Sequence, residues 1–262
     1  MMDAVAEHEP HVGNGRAHEH PMTLAEHRRL AQRLRRFWGR VAARQDDWLA
    51  QSISGSSVLE IGCGYGALVG RLRSRGLTAC GVDADAASLR AGCDVLGPLP
   101  VVSGDAYRLP FFDHAFDTVV FRDSLHHLEP ERALAEAERL SRCCVVVFEP
   151  NMMPLLRLAR RLVGHAEHET LPLERTVVLL TRRGWRIERV RFRDVVALPL
   201  SGGYIGPELV PPIRIIGTLL LTMDEWLTRA VHALGLSPWL CWRYAVVAWR
   251  EPPVPTPQGR AP

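Results

Sequence analysis

Short apolar runs alternate with helical windows along the middle of the chain, and this alternation constrains the fold more than any other feature. The run VVVF at 145–148 is apolar at every position, which is typical of a strand buried on both faces of a parallel sheet. We predict strands at 57–61, 79–82, 100–102, 116–121, 143–148, 185–192 and 243–249, and helices at 67–74, 86–96, 130–141, 153–162 and 173–181.

This order predicts an α/β fold, a Rossmann-like doubly wound, mostly parallel seven-stranded sheet. The last two strands follow a helix and a long insertion, which favours an antiparallel strand at the edge. An amphipathic pattern from Thr23 predicts one helix that leads into the domain. The expected organisation is a disordered tail at 1–22, a Rossmann-like domain at 23–193, an apolar lid insertion at 194–240, the last strand at 241–250 and a disordered tail at 251–262.

The chain has no lysine, so all 32 of its basic residues are arginine. A P-loop, a lysine Schiff base and the Tyr/Lys pair of short-chain dehydrogenases are therefore excluded. The net charge of +3 gives no field that would imply nucleic acid as a partner. The six cysteines lack zinc-site spacing, and no metal site is expected. Five histidines near the N-terminus are interpreted as part of a solvated tail.

The sequence favours a cytoplasmic protein. No basic start followed by an apolar run marks a signal peptide. The strongly apolar stretch at 215–221 is interrupted by Gly217 and Thr218 and is far shorter than the ~20 residues that cross a bilayer. We expect no transmembrane segment and at most peripheral contact with a membrane.

A glycine-rich turn follows the first predicted strand, in the run VLEIGCGYGA. Gly62, Gly64 and Gly66 let the backbone turn tightly and let a ligand approach with no Cβ in the way. Gly62, Gly64 and Ala67 also satisfy the dinucleotide fingerprint G-x-G-x-x-A. The turn alone therefore leaves a nicotinamide oxidoreductase open.

Three carboxylates follow successive predicted strands. Glu60 precedes the first glycine by two residues, where it would attract an amino-bearing or cationic ligand and repel a pyrophosphate. Asp83 ends the second strand and can accept two hydrogen bonds from a ribose diol, each worth about 1.5–3 kcal/mol. Asp105 follows the third strand, within reach of an adenine amino group. The alternative is that the glycines serve only the turn and that Asp83 caps a helix.

These pieces resemble the class I S-adenosylmethionine-dependent methyltransferases, and specifically the branch of the ubiquinone/menaquinone-biosynthesis type. The resemblance is carried by LEIGCGYG, GVDAD, GDAYRLPFFDHAFDTVV, DSLHHL and FEPN, between residues 58 and 151. It implies S-adenosyl-L-methionine as the cofactor. It also implies cofactor-binding positions, with the amino-acid moiety held at Glu60, Gly62 and Gly64, the ribose at Asp83, the adenine at Asp105 and Ala106, and further contacts at Cys63, Gly66, Ala84 and Arg122.

The segment after the fourth strand supplies candidates for catalysis. Asp123, His126 and His127 lie in DSLHH, at the edge where the transferred methyl group is expected. Histidine has an ordinary pKa near 6.5 and suits base work at neutral pH. Paired histidines at the start of a helix also serve structural roles, so both interpretations stay open.

Candidates for acceptor binding follow the fifth strand and lie in the insertion. Glu149 and Asn151 end the fifth strand, and Tyr204 lies in the glycine-rich loop of the insertion. Ordinary loop structure explains each of them equally well. The apolar residues of the insertion fit a lid over a bulky acceptor, part of the core or a homodimer contact.

The sequence thus predicts an enzyme, a methyltransferase that acts on a small, apolar or aromatic metabolite at oxygen or carbon. The alternative is a non-catalytic scaffold of the same fold that binds the cofactor. A nicotinamide oxidoreductase is disfavoured by Glu60, Asp105 and the missing lysine.

Overall fold

The computed structural model describes residues 24–151, 153, 171–203 and 207–250. In this part of the chain seven strands form one sheet in the order β3-β2-β1-β4-β5-β7-β6. All neighbouring pairs are parallel except the two made by β7, which runs antiparallel to β5 and to β6. The strands are β1 Ser57–Ile61, β2 Thr78–Asp83, β3 Val101–Ser103, β4 Phe116–Arg122, β5 Ser141–Pro150, β6 Arg186–Arg193 and β7 Arg243–Trp249.

The predicted fold class is confirmed, and the bounds of β1, β7 and two helices match the predictions residue for residue. The antiparallel strand β7 lies one position in from the edge, which β6 forms. The helices are α1 Leu24–Arg35, α2 Phe37–Ala50, α3 Ala67–Ser74, α4 Ala86–Leu96, α5 Pro130–Leu140, α6 Leu173–Arg182, α7 Ala197–Leu200, α8 Arg214–Ala233 and α9 Ser237–Leu240.

The single N-terminal helix of the sequence prediction is wrong, because the structure breaks it into α1 and α2 at Arg36. Arg36 has extended backbone angles of φ −92° and ψ −172°. The carbonyl of Leu34 approaches Gly39 so closely that a Cβ at residue 39 would overlap it. This contact lets the end of α1 turn against the start of α2, and the hydrophobic periodicity does not reveal it.

The sheet is covered on both faces, as the apolar run in β5 predicts. Val145 and Val147 pack in the layer formed with α5 and α6. Val146 and Phe148 point the other way and pack with residues of α2 and α3. Side chains alternate across a strand, so one four-residue run contributes to both halves of the core.

Some predictions fall on residues outside the described part of the chain. These are the two terminal tails, including the histidines at positions 8, 11, 18 and 20, the helix predicted at 153–162 and Tyr204, whereas His27, which was assigned to the solvated tail, lies in α1. The predicted lid segment contains α7, α8 and α9 in its described residues. None of the helices among the described residues is long and apolar enough to cross a membrane.

Candidate active site

The three predicted carboxylates come from adjacent strands at one edge of the sheet. Glu60 is the penultimate residue of β1, Asp83 is the last residue of β2, and Asp105 follows β3 by two residues. Because these strands are parallel neighbours, their carboxyl ends meet at the same edge. Open α/β sheets bind their ligands at this edge.

The glycine turn after β1 combines a packed side with an open side. Gly62 has a φ of +74°, and a Cβ there would overlap the side chain of Ser124. Gly64 has a φ of +52°, yet a Cβ at this position would meet no atom within 4 Å. Gly62 is therefore required by packing, whereas Gly64 faces open space that a ligand can fill.

Asp83 is fixed by two backbone amides. Its Oδ2 accepts a hydrogen bond from the Gly64 amide at 2.7 Å, and its Oδ1 accepts one from Asp85 at 2.9 Å. The cap of α4 is Asp85, which accepts from the amides of Ala87 and Ser88. Asp83 therefore does not cap the helix, and its carboxylate is held beside the glycine turn.

The neighbouring positions contribute in other ways. Cys63 is buried, and its sulfur lies where a Cβ on Gly81 would overlap it. Burial raises the pKa of the Cys63 thiol, so the thiol stays neutral. Asp105 is exposed and accepts a hydrogen bond from the amide of Tyr107 at 2.9 Å. Ala84 is exposed and Ala106 is partly buried.

A buried ionic cluster joins β1, β4 and α2. The side chain of Arg122, at the end of β4, forms an ion pair with Asp46 at 2.9 Å and donates to Gln45 at 3.4 Å. Burial raises the pKa of Glu60 well above its usual value, although the nearby Arg122 opposes this, and Asp46 and Asp83 add to it. The Glu60 Oε2 is buried without a well-formed hydrogen bond among the described residues, and the nearby backbone amide of Val69 acts to lower the pKa of Glu60. Two carboxylates thus face one arginine, with an unsatisfied acceptor beside the open turn.

Sequence analysis missed Gln45 and Asp46, because they look like the polar face of an amphipathic helix. Their burial could have been inferred from helical spacing, because Gln45 and Asp46 share one face of α2 with Val41, Ala42 and Leu49. All five side chains are buried.

Asp46 makes the stability of the protein depend on pH. Burial raises its pKa to about 6, against the opposing effect of Arg122, whereas in the unfolded chain it titrates near 3.8. Between these values the folded state holds the extra proton, so the free energy of unfolding falls as pH rises. Asp46→Asn removes the cost of ionising this buried carboxyl. We therefore expect the free energy of unfolding of the variant, relative to that of the wild type, to increase by up to about 3 kcal/mol between pH 4 and pH 7.

Urea unfolding at a series of pH values measures this difference. The control is Asp94→Asn, which makes the same change of residue at an exposed position of α4. A constant difference for Asp46→Asn would show that Asp46 is ionised in both states over this range.

The turn after β4 holds the predicted catalytic segment. The buried Glu149 Oε1 accepts from the amides of Ser124 at 3.2 Å and Leu125 at 2.8 Å. Its other oxygen is bonded to Nδ1 of His126. The His126 ring lies 3.9 Å from the His127 ring, centroid to centroid. Burial raises the pKa of Glu149, while the bond to His126 opposes the shift. The structure thus pairs His126 with a buried carboxylate, and His127 is exposed beside it.

Asp123 has a left-handed backbone, with a φ of +55°, directly after β4. Such a conformation is uncommon for a residue other than glycine and concentrates at functional sites. Its carboxylate forms an ion pair with the buried Arg243, at the start of β7. The sequence does not single out Arg243, because it is the first residue of an apolar strand far along the chain.

Asn151 links the end of β5 to the segment before β7. Its side-chain amide donates to the backbone carbonyls of Pro238 at 3.0 Å and Cys241 at 2.8 Å. These bonds tie β5 to the segment that leads into β7. The position of Asn151 as a substrate-binding residue stays a prediction, as do the other predicted site assignments.

Comparisons with known proteins find methyltransferases that are similar to parts of this chain. Residues 59–143 match the model of a family described as methyltransferase domain. The chain is 30% identical over 135 residues to a demethylmenaquinone methyltransferase of Thermobifida fusca, a match that covers 48% of this chain and 56% of the relative. The chain thus spans about half the length of this curated relative.

Solved structures share the fold at low identity. A SAM-dependent methyltransferase from Archaeoglobus fulgidus has a TM-score of 0.56 and 21% identity, covering 80% of this chain and 94% of that one. A geranyl diphosphate C-methyltransferase from Streptomyces coelicolor, solved with Mg²⁺, geranyl diphosphate and S-adenosyl-L-homocysteine, has a TM-score of 0.56 and 12% identity, covering 81% and 80%.

The sheet order defines a domain of the Rossmann-like type, with an acidic edge beside a glycine turn. Within that class, residues 59–143 are similar to the methyltransferase domain whose family model they match.

The residues present fit S-adenosylmethionine. The open space at Gly64 admits a ligand at the turn. The unsatisfied, buried Glu60 Oε2 suits an ammonium group, and Asp83 provides a fixed carboxylate for hydroxyl groups. Both are acceptors, as the cationic amino acid and the ribose of this cofactor require.

Proposed function

We propose that this chain transfers a methyl group from S-adenosylmethionine to a small, apolar or aromatic metabolite, at oxygen or carbon. The observation that carries the proposal is the edge formed by Glu60, Gly64 and Asp83, where two carboxylates flank an open glycine. When bound, the cofactor supplies a methyl group activated by a sulfonium.

The main task of the protein is alignment, because oriented reactants account for on the order of 7–11 kcal/mol of a barrier. Glu60 and the glycine turn hold the amino-acid moiety, Asp83 holds the ribose, and Asp105 with Ala106 holds the adenine. Arg122 and Asp46 fix Glu60 from behind, since both belong to its buried ionic surroundings.

His126 acts as the base that accepts a proton from the acceptor. Glu149 bonds to Nδ1, so a neutral His126 carries its proton there and leaves Nε2 as the basic atom. Glu149 is a positioning residue in this scheme, because it is wholly buried. Asp123 is engaged with Arg243, and we assign it the task of holding the turn after β4. A general base of this kind contributes typically 10²–10⁴-fold to the rate.

An apolar acceptor is supported by two observations. The matched relative from Thermobifida fusca is named for demethylmenaquinone, and the Streptomyces coelicolor enzyme was solved with geranyl diphosphate. The predicted lid region also carries exposed apolar side chains, among them Leu209 and Ile213, beside the buried cluster that Leu198 and Val210 form with α2. Exposed apolar side chains of this kind suit an apolar ligand.

Titration calorimetry with S-adenosylhomocysteine and with NADH tests the assignment of the cofactor. We expect S-adenosylhomocysteine to bind and NADH not to bind. Binding of NADH alone would overturn the proposal in favour of an oxidoreductase.

Asp83→Asn tests the ribose contact. The amide keeps the shape of the side chain and loses the charge, so it weakens charge-assisted bonds worth about 1.5–3 kcal/mol each. We expect the Kd for S-adenosylhomocysteine to rise about 10- to 150-fold by calorimetry. The control Asp94→Asn, on the exposed side of α4, should bind like the wild type. Equal affinity in both variants would show that Asp83 serves only the turn.

The second candidate function, a scaffold that binds the cofactor without catalysis, is separated from the enzyme by turnover. The protein is mixed with labelled S-adenosylmethionine and an extract of the cells that make it. The enzyme consumes the methyl donor above the blank, and the scaffold does not.

A further inference from the structure

Exposed apolar side chains concentrate on one stretch of the described chain. Fourteen large hydrophobic residues are exposed among the described residues, and ten of them lie between Leu209 and Leu240. Scattered exposed hydrophobic residues are normal on a protein surface, whereas a concentration of them marks an interaction site.

Helix α8 carries the centre of this concentration. Ile215, Leu219, Met223 and Trp226 are each 43% to 67% exposed. At 100° per residue their directions fall within about 80° of one another on the helix, so they form one stripe. We call these four residues the apolar stripe. The buried residues of α8, which are Gly217, Asp224 and Val231, lie on the opposite side.

Arginines outnumber acids around the apolar stripe. Of the two acids of α8, Asp224 is fully buried and accepts from three backbone amides at 195–197, and the partly exposed Glu225 forms ion pairs with Arg44, Arg193 and Arg229. Two arginines are exposed beside the stripe. Arg214 is exposed at the start of the helix, and the Arg229 side chain is 67% exposed beside Trp226.

Helix α2 fixes the orientation of α8 through two arginine side chains. Arg40 donates to the carbonyl of Arg214 at 3.1 Å and to the hydroxyl of Thr218 at 2.8 Å. Arg44 donates to the carbonyl of Leu221 as well as to Glu225. With the polar side of α8 bound to α2, the apolar stripe is fixed toward the outside.

We propose that α8 docks on the surface of an anionic lipid bilayer, with the apolar stripe inserted among the lipids and Arg214 and Arg229 at the headgroups. Charge complementarity identifies the occupant, because an apolar helix face bordered by cations is the pattern of an interfacial helix. Trp226 suits the boundary between the headgroups and the lipid chains, because its ring is apolar and its N–H is polar.

A second copy of the chain fits this face less well. A two-fold contact brings the same patch of both copies together. Arg214 and Arg229 of the two copies would then border one interface, and the acids of α8 are already buried or paired with arginines of the same chain. Anionic headgroups supply the negative charge that a second copy lacks here.

Sedimentation with vesicles tests the proposal and requires neither cofactor nor acceptor. We expect the full chain to bind vesicles of mixed phosphatidylglycerol and phosphatidylcholine, and to bind phosphatidylcholine vesicles far more weakly. Leu219→Ser and Trp226→Ser should each lower the partition coefficient about 10-fold. Arg214→Gln should lower it about fivefold at low salt, and this effect should shrink at high salt.

The matched control is Phe112→Ser, which removes an aromatic side chain that is 90% exposed and lies outside the lid region. It should bind the mixed vesicles like the wild type. Unchanged S-adenosylhomocysteine affinity in all four variants shows that each is folded. Failure of the wild type to bind mixed vesicles, an equal loss for Phe112→Ser, or a dimer in sedimentation velocity that Trp226→Ser dissociates would each overturn the proposal.

Discussion

Gly64→Ala is expected to weaken the binding of S-adenosylhomocysteine by about 5- to 150-fold, while Gly76→Ala leaves it unchanged. The two glycines are matched in conformation, with φ values of +52° and +84°, and a Cβ would meet no protein atom within 4 Å at either. The two glycines differ in their position relative to the sheet. Gly64 lies in the turn beside Asp83, whereas Gly76 lies between α3 and β2, at the other end of the sheet.

The expected size of this effect follows from packing. A methyl group added where a ligand approaches costs about 1–3 kcal/mol, in the way that overpacking does in a protein core. Both variants also pay for a left-handed alanine, about 1–2 kcal/mol of stability. Because this conformational cost is shared, thermal unfolding should show similar losses for the two proteins.

Calorimetric titration with S-adenosylhomocysteine measures the affinity of each variant, and thermal unfolding measures its stability. If Gly64→Ala binds like Gly76→Ala, the open space at the turn is not where the ligand lies, and the edge that supports the methyltransferase proposal loses its main observation. Equal and large losses in both variants would instead indicate a general effect on folding.

The sequence predicts the sheet well because each strand is encoded locally. β1 and β7 are short, mainly apolar runs, and their limits are predicted without any knowledge of their partner strands. The Gly62 and Gly64 turn is encoded in the same local way. The break between α1 and α2 is different, because it depends on the approach of Leu34 to Gly39 across two helices.

The polar interior of the site was beyond the sequence for a similar reason. Asp46 and Arg122 are 76 positions apart, and His126 and Glu149 are 23 apart. Hydrophobic periodicity shows which side of an element is buried, but it does not show which charged residues meet there. The sequence therefore found Arg122, His126 and Glu149 as separate candidates, and the structure shows which side chains pair.

Glu149→Gln is expected to lower the rate of methyl transfer about 10²–10⁴-fold. The glutamine amide can still accept from the backbone amides of Ser124 and Leu125 through its oxygen. Its NH₂ group then faces Nδ1 of His126 and donates to it. His126 must accept there and carry its proton on Nε2, so the atom that should take the proton from the acceptor is already protonated.

Two measurements separate this positioning role from a structural one. The first is the rate of S-adenosylhomocysteine formation from S-adenosylmethionine in an extract that contains the acceptor. The second is the ¹⁵N spectrum of the His126 ring, which should change from the Nδ1-protonated to the Nε2-protonated form. Affinity for S-adenosylhomocysteine should stay near that of the wild type, since Glu149 is not among the residues assigned to the cofactor.

Three further variants test whether Glu149 and His126 act together. His126→Gln should lose as much rate as Glu149→Gln, and the double variant should lose no more, because the two groups act as one unit. His127→Gln, at the exposed neighbour, should keep its rate within a few-fold. A Glu149→Gln protein with a changed tautomer and an undiminished rate would show that methyl transfer here needs alignment alone and that His126 is not a base.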